Sequence, residues 1–169
     1  QIAIVGNGVD GDGTHEKICG QIAWASGGEI TYQRFDESLS RLGFAAASDT
    51  FGASLYEPCG QIDQIGNLYG TTSTNRDTGG YHDKILEINM NGDGAYRDSG
   101  NGFLFRDYDA GGLWYGLDRS VQFHRQPPEI KERHIKRIMR EARQRHNLDG
   151  MIDGYVDAYE RLNGGKPMI

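Results

Sequence analysis

Residues 49–80 read DTFGASLYEPCGQIDQIGNLYGTTSTNRDTGG, and within them two strand-to-helix passages follow one another. Asp49 to Ala53 is a strand candidate, after which Leu55-Tyr56-Glu57-Pro58-Cys59-Gly60-Gln61 turns into a helix candidate over Gly60 to Tyr69. Pro58 and Gly60 make that turn tight. Thr71 to Thr74 reads as the next strand, and Arg76-Asp77-Thr78-Gly79-Gly80 follows it. A strand, a helix and a strand in this order predict a parallel pair, and open parallel sheets gather their ligands at the carboxyl ends of the strands. Glu57 and the Thr78-Gly79-Gly80 turn would both fall at that edge. One supplies a carboxylate; the other supplies backbone N–H groups that glycine allows close to an anion. Glu57 alone would be an ordinary turn carboxylate, but the two motifs in this order make it a candidate site residue.

Working outward, the same alternation holds on both sides. Strands are expected at Ile2 to Val5 and Glu29 to Gln33, with helices at Thr14 to Ala25 and Asp36 to Ala46. Ile18, Ile22 and Ala25 recur at helical spacing, so one face of the first helix can pack on a sheet. From Glu87 to Gly102 the chain turns polar and glycine-rich, which predicts a loop, and Phe103 to Phe105 is a weaker strand. Residues 106–169 then read as a helical tail. Leu113, Leu117 and Val121 mark one helix, ended by Pro127-Pro128; a second runs from Glu129 to His146 and a third from Gly150 to Leu162, stopped by Gly164-Gly165. The expectation is an α/β fold over residues 1–169: a single domain with a Rossmann-like parallel sheet, flanking helices and a helical C-terminal tail.

Composition narrows the function. The 169 residues are enough for one buried core but not for two full domains. Twenty-five glycines, about twice average usage, sit at the ends of apolar runs, as many strand-to-helix turns require. A net charge of −6 argues against a nucleic-acid or anionic-membrane binder, which needs a positive field. Cys19 and Cys59 form neither a CxxC pair nor a disulfide framework, so a reduced compartment and no metal cage are expected. No apolar run approaches the ~18 residues of a membrane span and no secretory leader is visible, which points to the cytoplasm. Gln1 enters directly into Ile2-Ala3-Ile4-Val5, as a segment of a larger protein would. Lys131, Arg133, Lys136, Arg137, Arg140, Arg143 and Arg145 form a basic cluster, read first as a solvated helix face or a packing surface.

A second glycine-rich turn is more conspicuous and less informative. Gly6-Asn7-Gly8-Val9-Asp10-Gly11 has the GxGxxG spacing of dinucleotide-binding turns. Asp10 and Asp12, however, place negative charge where a pyrophosphate would sit. A turn without ligand is the better reading. Asp10-Gly11-Asp12 also mimics a DxD metal signature, but with no further ligands nearby it reads as solvated.

The motifs also carry a resemblance. Phe35-Asp36-Glu37, Ser54-Leu55-Tyr56-Glu57-Pro58-Cys59-Gly60, Tyr69-Gly70 and Arg76-Asp77-Thr78-Gly79-Gly80 resemble the C-terminal domain of glycogen and starch synthases of the GT-B fold. Gly102-Phe103-Leu104-Phe105, Arg137-Ile138-Met139 and Tyr155-Val156-Asp157-Ala158-Tyr159-Glu160 extend it over nearly the whole chain. The resemblance implies a nucleotide-sugar-binding domain for ADP-glucose or UDP-glucose, working in retaining α-1,4-glucan synthesis without a metal or other cofactor. It implies that Glu57 contacts the donor glucose and steadies positive charge at the anomeric carbon. Cys59, Gly60 and Gln61 would cradle the sugar, Thr78, Gly79 and Gly80 would lie near the diphosphate, and Phe35 would stack on the nucleobase. The glucan acceptor would be held by an N-terminal domain outside this chain, as would the family's R-L-x-x-Q-K-G segment. Gln61 stands where the family has leucine, Arg34 where glycine precedes the aromatic, and Gly52-Ala53 where it has an apolar residue and proline. Two alternatives stay open: a non-catalytic nucleotide- or carbohydrate-binding module of the same fold, and a nicotinamide-dependent oxidoreductase built on Gly6, Gly8 and Gly11. The strand ending Gln33-Arg34-Phe35 lacks the ribose carboxylate that the last would need, although Arg34 could accept a 2′-phosphate.

Overall fold

Short β-branched runs separated by amphipathic segments produce βα units, which a computed structural model describes over residues 1–8, 13–89 and 97–166. The chain divides into two compact units, Gln1–Ala46 and Ala47–Ile169. In the first, β1 (Ile2–Val5) runs parallel to β2 (Ile30–Gln33), in register from Ile2 opposite Ile30 to Val5 opposite Gln33. The crossover carries α1 (Thr14–Ala25), and α2 (Glu37–Ala46) follows. Asp36 falls outside α2 because its Oδ1 accepts the Leu39 N–H at 2.9 Å, a cap that asks for non-helical backbone.

The second unit runs β3 (Asp49–Gly52), α3 (Gln61–Tyr69), β4 (Thr72–Arg76), α4 (Gly79–Lys84), β5 (Phe103–Phe105), α5 (Ala110–His124), α6 (Pro128–Arg145) and α7 (Leu148–Leu162). Its three strands form a parallel sheet in the order β3-β4-β5. The central strand is unusual. A strand buried on both faces normally reads as an apolar run, yet Thr72, Ser73, Thr74 and Asn75 are all fully buried. Asp49 accounts for the two threonines: its carboxylate accepts the hydroxyls of Thr72 at 2.7 Å and Thr74 at 2.6 Å, and that of Ser120 at 2.8 Å. Burial still pushes the Asp49 carboxyl above its usual value, against the pull of those hydroxyls. Thr72 Oγ1 also lies 2.9 Å from His124 Nε2.

Apolar packing surrounds this polar seam. Ile88, Phe103, Phe123 and Ile138 form a buried cluster with Ile135 against it, and the buried His134 ring meets Phe123 edge-on at 5.6 Å. Pro128 opens α6, where a missing N–H costs nothing, so Pro127-Pro128 starts one helix as well as separating it from the last. Asn147 Oδ1 accepts the Gly150 N–H at 2.6 Å and starts α7 two residues earlier than Gly150, while Gly164 and Gly165 take φ of 69° and 78° beyond its end. The basic cluster is not one solvated face. Arg137 turns inward, donating to Glu141 at 3.0 Å and to the Gly100 carbonyl at 2.5 Å, whereas Lys136 stays outside with Glu132. Of the loop expected over Glu87 to Gly102, residues 90–96 lie outside the described residues; Glu87 bridges to Gly102 at its base. No helix among the described residues is long and apolar enough to cross a membrane.

Candidate functional site

Because β3 and β4 are parallel neighbours, paired from Asp49 opposite Thr72 to Gly52 opposite Asn75, the loops leaving their carboxyl ends emerge side by side. The first loop is 53–60 and the second is Asp77-Thr78. They do not merely adjoin; their backbones interlock. The Gly80 N–H donates to the Glu57 carbonyl at 2.8 Å. A Cβ on Gly79, whose φ is +48°, would lie 2.1 Å from the Glu57 carbonyl oxygen, and one on Gly80 would lie 2.5 Å from the Cys59 carbonyl. Gly60, at φ +56°, returns the contact: its Cβ would meet the Gly80 carbonyl carbon at 2.8 Å. Every one of these glycines is there because backbone must pass against backbone.

The Glu57 side chain closes the first loop on itself. Its Oε1 accepts the Gly60 N–H at 2.9 Å and its Oε2 the Ser54 hydroxyl at 3.3 Å. Gly60 is the left-handed residue preceding α3, so the carboxylate rests at the amino end of that helix, where the helix dipole favours negative charge. Glu57 is half-buried, with Cys59 and Gln61 exposed beside it. Arg76 leaves β4 and donates to the carbonyls of Ser54 at 3.3 Å and Leu55 at 2.9 Å, bracing the loop from the far side, with its guanidinium over the Tyr108 ring. Lys84, at the end of α4, donates from Nζ to the Cys59 carbonyl and, at 3.4 Å, to that of Gly60. Asp77 is held by His82 at 2.6 Å, and that contact keeps the imidazole above its usual value.

Beneath these loops lies a layer with no counterpart in the motifs. Asp63, in the first turn of α3, is 1% exposed, and neither of its carboxylate oxygens meets a hydrogen-bond partner among the described residues. Burial drives its carboxyl up to about 6, against the opposing pull of nearby backbone N–H groups and the Lys84 ammonium. The buried Tyr81 hydroxyl likewise lacks a partner among the described residues, and burial followed by the charges of Glu57 and Asp63 holds it above its usual value.

Of the residues singled out from the sequence, Glu57, Cys59, Gly60, Gln61, Thr78, Gly79 and Gly80 thus lie on one sheet edge. Phe35 belongs to the first unit, where it is 57% exposed and its N–H donates to Asn7 Oδ1 at 3.2 Å. Sequence reasoning passed over Ser54, Asp63, Tyr81 and Lys84. The available signals were an acid in the first turn of a helix and a lysine one helical turn past a glycine pair, both too common to stand out.

The Gly6 turn is wired differently. Gly8 N–H donates to Glu16 Oε1 at 3.2 Å, and Arg34 Nη2 grips the same carboxylate at 3.0 and 2.9 Å. The guanidinium considered for a 2′-phosphate is therefore engaged with Glu16. Val9 to Asp12, which carry the last glycine of the spacing and the Asp10-Gly11-Asp12 triplet, lie outside the described residues.

Parallel sheets flanked by helices, with the candidate site on carboxyl-end loops, are a Rossmann-like arrangement, and the solved structures the chain superposes on are GT-B glycosyltransferases. The catalytic domain of starch synthase IV from Arabidopsis thaliana, bound to ADP and acarbose, superposes with a TM-score of 0.69 at 25% identity, over 82% of this chain and 28% of that one. Sucrose-phosphate synthase from Thermosynechococcus elongatus gives 0.66 at 17% identity, over 98% and 39%. Within that class, the chain is homologous to the glycogen and starch synthases. It is 32% identical to the glycogen synthase of Geobacillus thermodenitrificans over 163 residues, 96% of this chain and 31% of that protein. It is 31% identical to probable starch synthase 4 of Arabidopsis thaliana over 106 residues, 63% of this chain and 10% of that one. The chain spans about a third of the length of the glycogen synthases it matches. No protein-family model matches it.

Proposed function

We propose that this chain is the donor-binding part of a retaining α-1,4-glucan synthase that takes ADP-glucose, with UDP-glucose as the second candidate. The observation that carries the reading is the interlock of the Glu57 to Gly60 loop with Thr78-Gly79-Gly80, at the carboxyl ends of two parallel strands, in a homologue of glycogen synthases. A sugar seated on that edge would meet the Glu57 carboxylate and the backbone of Cys59, Gly60 and Gln61. Glycosyl transfer develops positive charge at the anomeric carbon, and a fixed carboxylate stabilises it without reorganising. The Gly80 N–H is committed to Glu57, so the N–H groups of Thr78 and Gly79 are the donors assigned to the leaving diphosphate. Phe35 is assigned to the nucleobase. We place no metal or other cofactor in this reaction, and assign the glucan acceptor to another domain and the protein to the cytoplasm. On its own the chain binds donor and turns nothing over.

A second reading, a non-catalytic nucleotide- or carbohydrate-binding module of the same fold, draws on the engagement of Glu57 with Gly60 and Ser54 inside its own loop. Calorimetry separates them. The donor reading expects ADP and ADP-glucose to bind, with NAD excluded, and Glu57→Gln to weaken ADP-glucose about tenfold while leaving ADP unchanged. Equal indifference to ADP, ADP-glucose, UDP-glucose and NAD would sink the donor reading. Donor binding that ignores Glu57→Gln would favour the module.

A further inference from the structure

The layer under the loops has a role that the sugar-facing residues do not supply. Asp63 is a carboxylate at 1% exposure with no hydrogen-bond partner among the described residues, although a buried charge is costly unless it is paired. Burial raises its carboxyl most; the backbone N–H groups of its own turn and the Lys84 ammonium pull it down, and the Glu57 charge pushes it up. Lys84 does not close an ion pair with Asp63. Its ammonium lies instead on the carbonyls of Cys59 and Gly60, the backbone whose next N–H group, that of Gly60, is held by Glu57. Tyr81, whose N-terminal neighbour Gly80 packs on Cys59, completes the group from α4. On the other side, Lys84 lines a cavity of about 250 Å³ with Asp83, Glu141, Arg145 and His146, whose imidazole is pushed below its usual value by burial and then by Lys84 and Arg145. The ammonium therefore stands between Glu57 and Asp63 on the loop side and, on the cavity side, the Asp83 and Glu141 carboxylates together with Arg145 and His146.

We propose that Asp63 is a positioning residue for the donor loop: its buried negative charge draws Lys84 inward, and Lys84 then fixes the Cys59 and Gly60 carbonyls so that the Gly60 N–H stays on Glu57. Asp63 touches no substrate in this scheme; it acts through Lys84. The proposal rests on the reading of 53–60 as the sugar loop. It also accounts for a buried acid where an apolar side chain would be more stable. With Asp63 ionised the loop is clamped. With Asp63 protonated the ammonium is released toward the cavity and the loop loosens.

The test is amide hydrogen exchange of Gly60 and Gly80 by NMR on the 169-residue chain, combined with calorimetry. In Asp63→Asn and Lys84→Met, exchange at Gly60 should quicken by about tenfold or more relative to unaltered β4 amides, and Lys84→Arg should restore most of the protection. Wild-type Gly60 should show the same loosening, after correction for intrinsic exchange, as pH falls through the titration of Asp63. ADP-glucose affinity should fall in Asp63→Asn while ADP affinity holds, a ratio that a purely structural role would not move. Unchanged Gly60 exchange in both variants, or a pH response that persists in Asp63→Asn, overturns the proposal. Should a variant fail to fold, the wild-type pH response decides alone. If the wild-type chain binds neither ADP nor ADP-glucose, the donor reading fails, and the exchange data still decide whether Asp63 governs the loop.

Discussion

Two glycine-rich turns of this molecule each follow a parallel strand and precede a helix, and they use glycine for opposite ends. At Gly6 the backbone is open: a Cβ there would meet nothing within 4 Å among the described residues, and the Gly8 N–H is satisfied by the Glu16 side chain. At Gly60, Gly79 and Gly80 the backbone is crowded, and carbonyls stand where a Cβ would go. Gly6, in the motif with the better-known spacing, is thus the glycine with room for a side chain. A glycine pattern says that the chain turns; only its neighbours say whether a ligand or another loop fills the space.

The largest break of this comparison should come from Gly79→Ala. It combines φ +48° with a 2.1 Å approach to the Glu57 carbonyl oxygen, and it should destabilise the second unit by more than about 3 kcal/mol in urea unfolding. Gly6→Ala, by contrast, should be neutral or add about 0.5 kcal/mol, since it only restricts the unfolded chain. Comparable losses at both positions would refute the distinction.

Asp63→Asn sharpens it next. Burial raises the Asp63 carboxyl from 3.8 to about 6, so the folded protein holds that proton more tightly than the unfolded chain does. The stabilisation is complete below about pH 4 and lost as pH rises through 6, leaving a buried charge at neutral pH. Asp63→Asn should therefore gain up to about 3 kcal/mol over wild type at pH 7.5, and nothing at pH 3.5. Stability would rise while donor affinity falls, which is the signature of a residue kept for function. Ser54→Ala should cost about 1 kcal/mol through the lost hydroxyl on Glu57 Oε2. Its first-unit counterpart, Arg34→Ala, opposes an arginine that is 74% exposed and should leave the unfolding midpoint unmoved in 0.15 M salt. The smallest effect is spectroscopic. His82 should titrate above its usual value because Asp77 stabilises the imidazolium, the contact should weaken as pH rises through that raised value, and Asp77→Asn should return His82 toward normal.

Much of this edge was legible. Asp49-Thr50-Phe51-Gly52 followed by a proline and glycine turn announces a strand and a helix, and two such units in succession fix parallel pairing. Parallel pairing alone brings Glu57 and Thr78-Gly79-Gly80 to one edge, so the candidate site could be found without coordinates. The interlock could not, because nothing local in Gly79-Gly80 tells that the Glu57 carbonyl lies against it. Helix α4 was hidden for a related reason: it is six residues long and begins with two glycines, which local propensity counts against a helix. The burial of Thr72 to Asn75 was also unreadable. Hydropathy assigns such a run to the surface, and its acceptance inside depends on Asp49 and on Ser120, 71 residues away in sequence from that acid.

That polar strand has a mechanical consequence. Apolar side chains would hold β4 against β3 through packing and the backbone ladder alone. The hydroxyls of Thr72 and Thr74 instead converge on one carboxylate, like two teeth on a single key. Moving β4 by one residue would turn both teeth to the opposite face and leave the Asp49 carboxylate with the Ser120 hydroxyl where it had three. The sheet is therefore indexed at its start, and the height at which Glu57 meets Gly80 at its far end is inherited from a gauge cut into the strand itself.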